Sequence, residues 1–337
     1  MSDLTSIRRK LLAHLETCRP DTVFHAGLLG LAGAVLAAGQ DTGLWQYLGA
    51  WAVPTLGWIA SLYGGDYFDR ELDAVSKPLR PIPSGRMSAR EAAAGMYLAI
   101  VVGLMLAVLL NPLNLAVVAV TAVLGVLYSW KLKGHGFAGN LVRGGPAMLA
   151  FLVGMTSVGG EPRWDLLPFG LVFWVHDTAS NLLGALCDQD GDRAGGYQTH
   201  PVRHGDHASL RLLGWLCAGW IGLACLAPLS AAEFRHGGYL GFLAVSVALT
   251  GCAAAILLRA PRPVPRLHAL RAHEIVVIER LVLSSAVLAT ALGVLATLWL
   301  LVPALAITAL ARLAMRRRDH ATRFLNGPGP AGVPRPS

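Results

Sequence analysis

The chain has 337 residues, 54% of them hydrophobic and only 14% charged, with a net charge of +8 and a mean hydropathy of +0.53. Soluble domains carry about 25% charged residues, so the composition excludes a soluble globular protein and calls for an all-α integral membrane protein. The basic excess falls in short clusters between apolar runs, with no stripe of interleaved aromatics. It reads as a signal of membrane orientation and excludes nucleic acid as a partner.

In chain order, residues 1–21 are polar and carry Arg8, Arg9, Lys10 and Arg19. They lack the apolar centre of a cleavable signal peptide and read as a cytoplasmic N-terminal segment. Apolar runs of transmembrane length then follow at 22–39, 45–64, 90–110, 113–130, 139–158, 166–187, 209–229, 238–258 and 277–300. These predict nine transmembrane helices in a single domain over 22–315. Gly27, Gly30 and Gly33 in the first run predict close helix packing. The loops after the even-numbered runs are basic, with Lys77, Arg80 and Arg86, then Lys131 and Lys133, then Arg193 and Arg203, then Arg259 to Arg271. The positive-inside rule puts those loops and the N terminus in the cytoplasm. Arg312 and Arg316 to Arg318 conflict with that scheme, because nine spans put the C terminus outside. A hairpin within 277–313 would give ten spans, and a surface helix over 301–315 would keep nine; 301–315 has only a weak break at Pro303 and no turn chemistry before it, and nine is preferred. Residues 316–337 read as a disordered basic tail. The five cysteines form no CxxC pair and read as small buried hydrophobes.

Two acidic clusters stand out. Asp66, Asp69 and Asp73 follow the second apolar run at i, i+3 and i+7, which on one helix places three carboxylates on one face. Carboxylates at a membrane helix end call for a cation, and Mg2+ bound to carboxylate commonly also holds a substrate phosphate. Asp188 and Asp192 end the sixth run at i and i+4. Each cluster precedes a basic, Pro-containing stretch, 80–86 and 199–205. One device used twice on one side suggests two pseudo-repeated halves facing each other across a cavity, with Mg2+ and a diphosphate between them. Lys77, Arg80, Lys131, Arg143 and Arg203 are candidates to hold the phosphate oxygens. Asp177, Ser180, Asn181, Gly184 and Asp188 share a helical face. Asn181 and Tyr128 are read as cavity wall, and His176 as either a functional group or an interhelical hydrogen bond.

The residues then resemble a family. Asp66-Tyr67-Phe68-Asp69-Arg70-Glu71-Leu72-Asp73 with Lys77-Pro78-Leu79-Arg80-Pro81-Ile82-Pro83-Ser84-Gly85 resembles the first signature of the UbiA-type intramembrane prenyltransferases. Asp188 to Arg193 with Thr199, Pro201, Val202 and Gly205 resembles the second, and the wording is most similar to the chlorophyll synthase and archaeal glycerol-lipid branch. Gly65 stands where the family has Asn, and Ala185 where it has the first Asp of the second motif. The resemblance implies nine helices around a central cavity open to membrane lipid. It also implies Mg2+-dependent transfer of a prenyl chain from a prenyl diphosphate donor to a small acceptor, aromatic or an alcohol or carboxylate. Asp66, Asp69, Asp188 and Asp192 would be the metal ligands, Asp73 a further catalytic carboxylate, and Asp73 or Asp190 the proton acceptor. The alternatives are a terpene cyclase on the same scaffold, a cation transporter and a non-catalytic scaffold.

Overall fold

The computed structural model describes residues 2–159 and 163–325. Among these the regular structure is helical, apart from one isolated parallel bridge between His135 and Gln198. The helices in order are α1 (Ser2–Thr17), α2 (Phe24–Ala37), α3 (Leu44–Phe68), α4 (Arg70–Ser76), α5 (Ala89–Leu110) and α6 (Leu113–Trp130). There follow α7 (Gly136–Ser157), α8 (Leu167–Cys187), α9 (Gln189–Ala194), α10 (His200–Ser230), α11 (Gly237–Arg259) and α12 (Arg266–Leu325). Every apolar run of the sequence lies on a helix. Local chemistry sets several ends: Ser88 and Glu91 cap α5 reciprocally, and Asn111 closes it at an extended residue.

Small residues let the rods pack closely. A Cβ on Gly154 of α7 would sit 1.8 Å from the Gly30 carbonyl oxygen of α2, and one on Gly33 would sit 2.1 Å from the Phe151 carbonyl oxygen. Lipid tails are as apolar as leucine, so such backbone approach replaces the hydrophobic drive of soluble cores. On the other flank Phe151, Phe169, Phe173, Trp220, Phe234 and Tyr239 form the main buried cluster. Within it the Tyr239 hydroxyl donates to the Ala224 carbonyl at 2.7 Å. A polar knot ties three helices together: His176 of α8 meets Glu279 of α12 at 2.5 Å, and Ser246 of α11 donates to the same carboxylate. His176 is thus an interhelical bond, the second of its two readings.

Among the described residues α5, α6, α10, α11 and α12 are long and apolar enough to cross a membrane. α3, α7 and α8 carry polar and small residues toward the cavity and fall below that mark. α5 and α6 turn Leu98, Val101, Met105, Leu109, Val120 and Val123 outward. Cys187 is buried as expected, but Cys225 and Cys252 are exposed on the outer faces of α10 and α11.

The last helix departs from expectation. α12 breaks at Gly293, whose φ of 75° and ψ of 167° are open to glycine and strained for other residues. A straight helix would set Arg280 and Arg312 about 48 Å apart. Instead they lie within electrostatic reach of each other, and Arg312 is 3.4 Å from Asp21, before α2. Gly293 itself sits by the start of α11, where Gly238 faces Ala289 and Val294. α12 therefore doubles back. With α2, α3, α5, α6, α7, α8, α10 and α11 it makes ten rods among the described residues, not nine. The returning arm buries Thr297, Leu301, Ala304 and Thr308 and brings Arg312 to the side that its charge calls for. The expected disordered tail also differs, since the helix runs through Leu325. Residues 326–337 lie outside those described.

Candidate active site

Both acidic clusters follow a broken helix. α3 ends at Asp69 (φ −84°, ψ 1°) and the short α4 restarts at once; α8 ends at Asp188 (φ −104°, ψ 10°) and the short α9 follows. The break changes the expected geometry of the first cluster. Asp66, Asp69 and Asp73 do not share one face, because the helical phase is reset at Asp69. Asp66 and Asp73 turn inward and share one guanidinium: Arg80 Nη1 donates to Asp73 at 2.6 Å and to Asp66 at 3.2 Å. Arg19 and Thr17 add hydrogen bonds to Asp66, each at 3.1 Å. Both carboxylates are under 5% exposed. Burial pushes Asp73 above the usual carboxylate range, against the pull of Arg80.

Asp69 points the other way. Lys133 Nζ donates to it at 2.7 Å and the Tyr197 hydroxyl at 3.3 Å. Burial opposes the charge on Lys133, but Asp69's charge and hydrogen bond together outweigh it and push the ammonium up. The loops that carry these partners are tied by the His135–Gln198 bridge, where Gly136 N–H donates to the Gln198 carbonyl at 2.9 Å. Lys77, from the loop after the first cluster, donates to Asp188 of the second at 2.9 Å. The two clusters therefore meet. Lys77 overcomes the burial of Asp188 and holds its carboxyl below the usual range. Asp192 is 3% exposed, and burial with the nearby charge of Asp188 pushes it up to about 6.

Asp69, Lys77, Arg80, Lys133, Asp188 and Asp192 line the mouth of a cavity of about 370 Å³ between α2, α3, α5, α6, α7, α8 and α12. Below the mouth is an amide belt. Asn140 donates to Asn181 at 2.7 Å, and Asn181 to the Tyr128 hydroxyl at 3.3 Å. Both expected wall residues are in place. Deeper still the cavity has two unlike walls. Met96, Ala99, Ile100, Gly103, Val118 and Ala122 make an apolar wall on α5 and α6; His25, Asp177 and Arg280 make a polar one on α2, α8 and α12.

Five expected residues are placed otherwise than their expected roles require. Lys131 is exposed and does not line the cavity, because the helical turn at 132–134 re-aims the chain and presents Lys133 instead. Arg203 is exposed, lying over Gly136 outside the cavity. Arg143 lines the cavity below the mouth, stacked 4.6 Å from the centroid of Trp58 and 3.6 Å from Asp177. Of the two carboxylates weighed as proton acceptors, the Asp190 side chain is 90% exposed and Asp73 is buried behind Arg80. Sequence reading did not assign Arg19, Lys133, Tyr197, Trp58 or Arg280 to the site. Arg280 had a signal of its own, an ionisable pair Glu279-Arg280 inside an apolar run.

The donor set suits a hard divalent cation, being carboxylate oxygen at the mouth of a membrane cavity. Among the described residues no three His, Cys, Asp or Glu side chains gather closely enough to enclose an ion by themselves. Any cation held there would need further oxygen donors from outside the chain, and Lys77 and Lys133 flank the site.

Comparison with known proteins gives the same direction. A model of the UbiA prenyltransferase family matches residues 26–273. A digeranylgeranylglyceryl phosphate synthase of Methanopyrus kandleri is 33% identical over 253 residues, 73% of this chain and 86% of that protein. A solved structure from work on digeranylgeranylglyceryl phosphate synthase in membranes is 24% identical with a TM-score of 0.63, over 84% of this chain and 98% of that one. A UbiA homolog from Archaeoglobus fulgidus bound to DMAPP and Mg2+ is 18% identical with a TM-score of 0.63, over 81% of this chain and 98% of that one. At such identities the solved structures establish the fold.

Proposed function

The chain belongs to the UbiA prenyltransferase family and is an integral membrane enzyme of that kind; we propose that it moves a prenyl chain from a prenyl diphosphate to a small acceptor within the membrane. The observation that carries this reading is the meeting of both acidic clusters, through Lys77 and Asp188, at the mouth of one cavity that turns apolar with depth.

The diphosphate is placed at the mouth and the prenyl chain along the α5–α6 wall. Lys77 and Lys133 neutralise the diphosphate from opposite sides, and Arg80 does so from behind. As the allylic C–O bond breaks, charge collects on the leaving group, so these cations stabilise the transition state more than the ground state. Asp69, Asp188 and Asp192 would hold Mg2+ together with oxygens of the donor, and the ion would supply Lewis-acid neutralisation of the diphosphate. Asp66 and Asp73 act as the seat of Arg80 and fix its guanidinium. The apolar wall keeps water from the allylic carbon. Tyr128, Asn140 and Asn181 form a polar belt across which an acceptor nucleophile reaches that carbon.

A cyclase would need aromatic faces open to a carbocation. The Trp58 ring is instead flanked by the guanidinium groups of Arg143 and Arg280, which repel one, and this favours a separate acceptor. The basic loops support a mouth on the cytoplasmic side, and the fold-back at Gly293 returns the last helix toward Asp21. Purified protein with Mg2+ and prenyl diphosphates of graded length tests the reading, with and without a pool of alcohol, carboxylate and aromatic acceptors. The expected result is a prenylated acceptor by mass spectrometry that Asp69→Asn and Asp188→Asn abolish. A cyclic hydrocarbon formed without acceptor would overturn it.

A further inference from the structure

The N-terminal helix α1 presents an apolar face that the rest of the described chain leaves bare. Ile7, Leu11 and Leu15 recur at i, i+4 and i+8, a stripe about 12 Å long on one side of the helix. They are 55%, 65% and 56% exposed. The opposite side is docked. Ala13 and Thr17 are buried there, and Ala13 joins a cluster with Tyr63 of α3, with Ala92 and Met96 of α5 and with Met87 just before it. Side contacts fix the rotation of the helix. Lys10 Nζ donates to Glu91 at 2.7 Å, His14 Nδ1 meets the Tyr63 hydroxyl at 2.8 Å, and Arg86 donates to both oxygens of Glu16 at 2.5 and 3.0 Å. Turning the stripe inward would break all of them.

The same partners set the depth of α1. Tyr63, Ala92 and Met96 belong to the second and third apolar runs, whereas Asp66 and Arg86 lie just beyond those runs. A helix that touches both groups straddles the boundary between hydrocarbon and water, so its outward face is level with lipid headgroups. The exposed charges on α1 among the described residues, Arg8, Arg9 and Lys10, are all basic. Arg8 borders the stripe, three residues from Leu11 and seven from Leu15, on the same side of the helix. An apolar stripe with basic flanks is the pattern of helices that lie in the plane of anionic membranes. We propose that α1 is a docking surface for an anionic lipid leaflet, with Ile7, Leu11 and Leu15 entering the headgroup layer and Arg8 and Arg9 meeting lipid phosphate. The far end of the helix reaches the mouth of the cavity, where Thr17 and Arg19 each hydrogen-bond Asp66 at 3.1 Å. The leaflet that seats α1 thereby steadies one of the two carboxylates that hold Arg80. The inference stands independently of the reaction assigned to the cavity.

Hydrogen exchange on the full chain tests it. The protein is placed one copy per nanodisc, in phosphatidylcholine alone or in phosphatidylcholine mixed with phosphatidylglycerol. Backbone amides of residues 7–17 are expected to exchange about tenfold more slowly in the anionic disc, and high salt should reduce the difference. Arg8→Gln combined with Arg9→Gln should remove the dependence on lipid charge. Leu11→Asp should speed exchange of α1 in both discs, while amides of α8 stay unchanged throughout. If Leu11→Asp fails to fold, the double arginine variant carries the comparison. Equal exchange of α1 in the two lipids would overturn the proposal, as would a folded Leu11→Asp protein that exchanges like the wild type. Slowing seen only when a disc holds two copies would also overturn it, and would assign the stripe to a contact between chains.

Discussion

The two acidic clusters look alike in sequence and differ in electrostatic state. In the first, Asp66 and Asp73 are buried and saturated by Arg80, Arg19 and Thr17. In the second, Asp188 has Lys77 at 2.9 Å and a distant Arg266 at 3.9 Å, while no ion pair reaches Asp192 among the described residues. Ala185 takes the place where a third carboxylate would complete the symmetry. Within the first cluster Asp66 and Asp73 are a preformed seat for the Arg80 guanidinium, whereas Asp192 of the second has no cation within ion-pair distance among the described residues. Similar spacing in sequence thus does not give the two clusters the same surroundings.

Breaking the seat has the largest expected effect. Arg80→Ala leaves two buried carboxylates without their shared cation and should cost about 3–5 kcal/mol, read as a large drop in melting temperature. Adding Asp73→Asn to that protein should recover part of the loss. Neutralising the second cluster should do the opposite: Asp188→Asn is expected to lower turnover on the order of a hundredfold or more with little change in melting temperature. A matching stability loss would end the distinction between the clusters. Lys133→Ala should reduce kcat/KM about tenfold or more, whereas Lys131→Ala, on an exposed side chain, should leave it unchanged. Adding Mg2+ with a prenyl diphosphate should stabilise the wild-type chain by mass action, and a chelator should reverse the shift; in Asp192→Asn the shift should shrink. The smallest loss of stability belongs to Arg19→Ala. Asp66 keeps Arg80 and Thr17, so the loss should be about 1 kcal/mol, with turnover nearly intact.

Much of this was legible in the residues. Hydropathy marked where the helices lie because every backbone group in a membrane must be satisfied within its own segment. The repeated spacing of Asp, basic residue and proline identified both halves of the mouth. What escaped depended on phase and packing. The break at Asp69 reversed a carboxylate that an unbroken helix would have aligned with Asp66. The turn at 132–134 exchanged Lys131 for Lys133. Arg19 sits in a polar segment whose residues carry no periodicity, and only the docking of α1 against α3 gives it a target. Gly293 looked like any small residue of a membrane helix, since glycine there serves packing more often than turning. The arginines from 312 to 318 were the better clue, a charge pattern that nine crossings could not place on the expected side.

The fold-back at Gly293 also bears on how the chain is made. Synthesis runs from the N terminus, so Asp21, Asp177, Arg143 and Arg280 are all in place before Arg312 exists. A nascent chain halted at Gly293 would hold the whole mouth, from Asp69 to Asp192, yet leave Asp21 without the arginine that takes up its charge. Cavity and mouth therefore precede the pairing of Asp21, which the last arm completes. C-terminal truncations on either side of Gly293 would separate these stages: the shorter chain should retain the family's motifs in full and still fail quality control.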